Sequence, residues 1–216
     1  MIVSDRRLGE LLVAGWLCVV GAGVVVEVLR FGSVGDFALA ASFSLSQEAN
    51  VPTWYSSVLL FSCALSLWAH GVDELRRAAP RWHWHWRGHA GVFAAISMDE
   101  VASFHERINA TAHLGGVLYY AWVIPFGALV VVVGVLCLPF LAALPRPTRL
   151  RFMVAGALYV GGALGVELIL GAWADQHGPM NLTYRLIDAV EEGGEIAGAS
   201  LFLWSLARHR SASVTT

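Results

Sequence analysis

Six apolar stretches, at residues 8–31, 53–71, 88–110, 117–143, 152–173 and 183–207, alternate with short polar segments along the chain. Each comes close to the about 20 residues that cross about 30 Å of hydrocarbon at a helical rise of about 1.5 Å per residue. Val117–Leu144 carries no charge, whereas the third stretch is apolar only from Gly88 to Met98, before Asp99. The pattern predicts an all-α integral membrane protein. It would be a bundle of six transmembrane helices in a single membrane domain over residues 1–216, with a disordered tail at 211–216.

Charge fixes the expected topology. All 14 basic residues are arginine, and eleven fall into four clusters: Arg6/Arg7, Arg76/Arg77/Arg81/Arg87, Arg146/Arg149/Arg151 and Arg208/Arg210. Basic loops stay on the cytoplasmic side. Six crossings put all four clusters there, with both termini cytoplasmic and the chain in a bacterial inner membrane. Omitting the third crossing would split the clusters between the two sides. The first apolar run reads as an uncleaved helix, because Glu27 and Arg30 intervene before the small-residue site Ala38-Leu39-Ala40. Trp54 and Tyr55, and the alternating Trp82, Trp84 and Trp86, read as interfacial anchors.

Composition agrees with a bilayer environment. The chain of 216 residues is 57% hydrophobic and 14% charged, with a mean hydropathy of +0.63; a soluble domain carries about 25% charged residues. Cys18, Cys63 and Cys137 lie singly in apolar runs, without metal or disulfide spacing. No nucleotide-binding loop or nucleic-acid patch occurs, so the expected partners are membrane lipids and an apolar substrate.

Against this background the acids stand out, since an ionisable group in hydrocarbon needs a partner or a function. Asp99, Glu100, His105 and Glu106 fall in the third stretch, Glu167 in the fifth, and Asp188, Glu191, Glu192 and Glu195 in the sixth. Counting from the helix ends places Asp99 and Glu100 about 17–18 Å from the inner edge, and Glu192 about 15 Å from the outer one. Spacings of three, four and seven put Asp188, Glu191/Glu192 and Glu195 on one helical stripe, and Asp99 and Glu106 share another face with Ser103 between them. Helices one, three, five and six would then surround a polar pocket opening outward. Gly161, Gly162, Gly165, Gly193, Gly194 and Gly198 would allow close helix approach. Arg107 and Arg185 at its rim offset part of the charge, and the remaining carboxylates call for protons, water or cations.

The expected metal ligands are Asp99, Glu100, His105, Glu106, Glu167, Asp188, Glu191, Glu192 and Glu195. Glu100 and Glu106 are the candidate catalytic groups, and His113 and His177 are within reach from outer loops. Carboxylates with a few histidines suit a divalent or transition metal ion such as Zn, Fe or Mn. Glu27 reads as an ion pair with Arg30, and Asp36 and Glu48 as solvated loop acids.

Familiar site patterns fit poorly. His105-Glu106-Arg107-Ile108-Asn109 lacks the second histidine of HExxH, and no ExxH pair occurs. The ordered segments PTWYSS (52–57), SMDEVASFHE (97–106), GALGVE (162–167) and EEGGEIAG (191–198) resemble an uncharacterised bacterial family of multi-pass membrane proteins. That resemblance spans about residues 45–205 and implies that the acids belong to one site, with no activity attached. The leading expectation is a metal-binding intramembrane site on the extracytoplasmic side, serving a metal-dependent enzyme for a lipid or apolar substrate. A cation or proton transporter and a structural or assembly subunit are the alternatives.

Overall fold

A computed structural model describes residues 4–31, 41–76, 80–109 and 114–214. It is all-helical over these residues: α1 (Asp5–Phe31), α2 (Val51–Leu75), α3 (His83–Ala102), a short α4 (Phe104–Asn109), α5 (Val123–Ala143), α6 (Arg146–His177) and α7 (Leu182–Val214). A π turn at Gly161–Val166 interrupts α6. Four of these, α1, α2, α5 and α6, are long and apolar enough to cross a membrane. Their apolar side chains also point outward. Val131 is 66% exposed, Leu136 65% and Leu138 60%, a surface that water would not tolerate at this extent.

One end of the bundle gathers the basic clusters. The Trp204 indole donates to the Asp5 carbonyl (3.0 Å), Arg210 pairs with Asp73 (2.9 Å), and His209 meets Thr148 (3.3 Å). The start of α1, the end of α2, the start of α6 and the end of α7 are therefore neighbours. Beneath them Leu67, Trp86, Phe140, Phe152 and Leu206 form a dense core. His70 and His209 stack with Trp86 at 4.8 and 5.6 Å. Trp86 is thus a core residue rather than the interfacial anchor expected, while Trp84 is exposed. Leu59, Leu60, Ile196 and Ala199 continue the core between α2 and α7.

Close approach of α6 and α7 depends on two glycines. A Cβ at Gly162 would come within 2.7 Å of the Glu191 carbonyl oxygen, and one at Gly198 within 2.6 Å of the Tyr159 backbone nitrogen. Gly161 and Gly165, expected to act likewise, would meet nothing within 4 Å.

The largest departure from expectation is in the third stretch, which is not one helix over 88–110. It begins at His83 and stops at Ala102, because Ser103 adopts a left-handed conformation (φ 50°) and its N–H bonds to the Asp99 carbonyl. The chain turns there and restarts as α4, so Asp99 and Glu106 meet across a corner, not along a helical face. The fourth stretch likewise opens with a 3₁₀ turn at Gly116–Leu118 before α5 starts at Val123. Residues 211–214, expected in a disordered tail, extend α7, where Ser211 donates to Asp5 (3.0 Å).

Candidate functional site

At the opposite end from the basic clusters lies a cavity of about 250 Å³, lined by all nine residues singled out from the sequence. They come from α3, α4, α6 and α7. No α1 residue lines it, contrary to expectation. Glu27 of that helix is fully buried behind the cavity wall, accepts a hydrogen bond from the Ser44 hydroxyl and is an electrostatic neighbour of Asp188.

The mouth is built around the corner at Ser103. Asp99 Oδ1 accepts from the His105 backbone N–H (3.2 Å), capping α4, and Asp99 Oδ2 meets His105 Nδ1 (2.8 Å). One carboxylate thus sets both the position and the orientation of the imidazole and leaves its other nitrogen for a ligand. Glu48, His105 and Glu106 each bring one ligand atom, all within 4.8 Å of one another. Donors around one ion at about 2.0–2.2 Å lie within about 4.4 Å of each other, so a small side-chain adjustment closes the set.

Glu48 and Glu106 are exposed, and both line the mouth of the cavity. The loop before α2 is folded by Asn50, whose side chain caps α2 through the Thr53 N–H (3.1 Å) and donates to the Ser44 and Gln47 carbonyls (both 2.6 Å). This places Glu48 against α4, within reach of the Ser103 hydroxyl. Partial desolvation, then the negative charge of Glu106, holds its carboxyl above the usual carboxylate range.

Deeper in, Trp122 connects the mouth to the interior. Its ring lies 5.2 Å from that of His105, its backbone N–H donates to Asn109 (3.2 Å), and its indole N–H donates to Glu167 (3.0 Å). Glu167 is within hydrogen-bonding reach of Glu191. Two carboxylates so placed share a proton or a cation. Glu191 is 7% exposed, and its Oε2 is buried without a hydrogen-bond partner. Glu100, Asp188, Glu192 and Glu195 are half-buried, with their accessible surface in the cavity, and Tyr159 reaches Glu195 from α6. Tyr120 and Tyr184 meet hydroxyl to hydroxyl (2.5 Å) at the wall. Burial pushes the Tyr120 phenol up to about 12, which keeps it neutral.

The remaining expectations fare differently. His177 stacks on Trp173 (4.0 Å) and does not line the cavity; His113 and Asp36 lie outside the described residues. Neither rim arginine lines it either: Arg107 sits over Phe104 (5.3 Å), and Arg185, near Asp188, donates to the Ser46 carbonyl (3.1 Å). Sequence reasoning missed Glu48, Tyr120, Trp122, Tyr159 and Tyr184. For Glu48 a signal existed, since the Asn50–Pro52 start of α2 fixes it at the same end as the acids.

No curated protein and no solved structure matches the chain. A family model described as a domain of unknown function (DUF8692) matches residues 11–210. The chain therefore belongs to this family of unknown function.

Proposed function

We propose that the protein is a six-crossing inner-membrane protein whose cavity opens to the extracytoplasmic side and binds a divalent or transition metal ion. Support for the topology comes from α3 and α7. Both run from the arginine-rich end to the cavity end, parallel to the four apolar helices in extent, so a membrane enclosing those four encloses these also. With the basic clusters cytoplasmic, both termini lie inside.

The observation that carries the metal reading is the Asp99–His105 pair beside Glu48 and Glu106. A carboxylate that holds one imidazole nitrogen so that the other faces further carboxylates is the arrangement by which proteins orient histidine ligands. Two carboxylates and one imidazole suit Zn, Fe or Mn. Glu167, Asp188, Glu191, Glu192 and Glu195 extend the negative field inward and offer further ligands.

The enzymatic extension rests on the cavity's other wall. Ile96, Phe126, Val130 and Leu164 face the acids, so an amphiphile can lie with its polar end at the mouth and its apolar part along α5 and α6. Glu106 and Glu100 are then the groups for proton transfer beside the metal. A cation or proton relay is the second reading: Leu67, Trp86, Phe140 and Leu206 pack the inner half, with His70 and Glu74 buried beside them.

The test is elemental analysis of detergent-purified protein beside His105→Ala and Glu106→Gln. Stoichiometric metal in the wild type that both variants lose supports the reading. A folded, metal-free wild type that takes up no metal on titration contradicts it.

A further inference from the structure

A second concavity lies at the other end of the molecule, between α1 and α7, with a volume of about 830 Å³. Its floor is apolar, made by Leu12, Val13, Trp16, Ala197 and Leu201. Two indoles form flat walls and are pinned by their own hydrogen bonds: Trp16 to the Gly193 carbonyl (2.7 Å) and Trp204 to the Asp5 carbonyl (3.0 Å). From Gly193 to Trp204 the helix advances about 16 Å, close to half of the about 30 Å hydrocarbon thickness. The groove is therefore one leaflet deep.

Its open end is cationic. Arg6 and Arg208 line it. Arg208 and Arg151 both stand over the Trp204 ring, at 5.2 and 5.6 Å. Arg151 donates through Nε to the Pro147 carbonyl (2.9 Å), yet its Nη1 is buried without a hydrogen-bond partner. Guanidinium groups gathered at one end of an apolar groove suit an anion. The local acids do not supply one. Asp5 accepts from Ser211, and Glu10 is held by Arg6 in an exposed pair (2.9 Å) that a phosphate can displace.

We propose that this groove binds one anionic phospholipid, with an acyl chain between Trp16 and Trp204 and its phosphate on Arg208, Arg151 and Arg6. Guanidinium groups match phosphate geometry, and the apolar channel supplies the rest of the contact. The site is independent of the acidic cavity.

The test uses phosphatidylglycerol and phosphatidylcholine with brominated acyl chains, titrated into detergent-solubilised wild type while tryptophan fluorescence is read. The Trp204→Phe variant identifies the groove's share of the signal. The expected result is quenching of that share at a lower mole fraction of phosphatidylglycerol than of phosphatidylcholine. Arg208→Gln and, separately, Arg151→Gln should each weaken the phosphatidylglycerol effect about fivefold and leave phosphatidylcholine unchanged. Ala197→Leu, which fills the floor, should reduce quenching by both. Equal quenching by the two lipids, or the same titration curve in both arginine variants, overturns the proposal. So does quenching that vanishes as protein concentration rises, which would mean that a second copy occupies the groove.

Discussion

Asp99 holds His105 twice, through the backbone N–H at 3.2 Å and through Nδ1 at 2.8 Å. The first contact starts α4 and the second aims the ring, so the fold of the corner and the geometry of the ligand come from one side chain. Asn in place of Asp99 keeps the cap and loses the charge that pairs with the imidazole at Nδ1. Asp99→Asn is expected to bind metal about 10–100-fold more weakly with little change in melting temperature, as read by competition with a chromogenic chelator.

If the proposed site binds metal, Glu48 is expected to make its affinity depend on pH. Binding needs its carboxylate, so its contribution is complete above its pKa in the folded protein and is lost as pH falls through it. Because that pKa lies above 4.5, the loss begins at a higher pH than for an ordinary glutamate. Without metal the linkage runs the other way: a raised folded value contributes stability below the unfolded pKa, and that stability disappears as pH rises through the folded one. Glu48→Gln should therefore bind metal more weakly, with a flatter pH profile, and its metal-free form should melt higher than the wild type at neutral pH. Calorimetric titrations across pH 4–8 together with melting curves check both.

Ser103 is expected to tolerate glycine and reject valine. At φ 50° the left-handed conformation costs an L-residue about 1–2 kcal/mol, and β-branching adds to it. Ser103→Gly should keep metal binding, while Ser103→Val should lower both the melting temperature and the affinity by displacing α4. A variant pair with equal melting and equal affinity would contradict the role given to the corner.

The α6–α7 contact predicts an asymmetry among glycines. Gly162→Val forces the helices apart at Glu191 and Glu195, at a cost of about 1–3 kcal/mol, whereas Gly165→Ala meets open space. Thermal melts in detergent should separate the two.

Much of this was legible in the sequence, for identifiable reasons. Hydrocarbon thickness sets helix length, so α1, α2, α5 and α6 show as apolar runs, and the cost of burying charge marks Asp99 through Glu195 as one group. The eight acids and the histidine singled out together do line one cavity. What stayed hidden depends on tertiary contact. A left-handed serine has no pattern of its own, since glycine is the usual occupant of that conformation, and so 88–110 read as one helix. Glu48 read as a solvated loop acid, and it is exposed in that loop; its place at the cavity mouth stayed hidden because it depends on the Asn50 network and on α4 folding back. Trp86 read as an anchor because alternation with histidine does not reveal which indole turns inward.

The most direct measurement is X-ray absorption at the zinc edge of zinc-loaded protein, wild type beside His105→Ala. The expected spectrum has nitrogen and oxygen donors at about 2.0–2.2 Å, the multiple scattering of one imidazole, and no sulfur; the imidazole feature disappears in His105→Ala. Sulfur in the first shell or two imidazoles would place the ion instead at the other end of the molecule, where His89 Nε2 lies 2.9 Å from Cys137 Sγ and His89 Nδ1 meets the His85 carbonyl. A spectrum unchanged by His105→Ala would likewise contradict a metal site at the Ser103 corner.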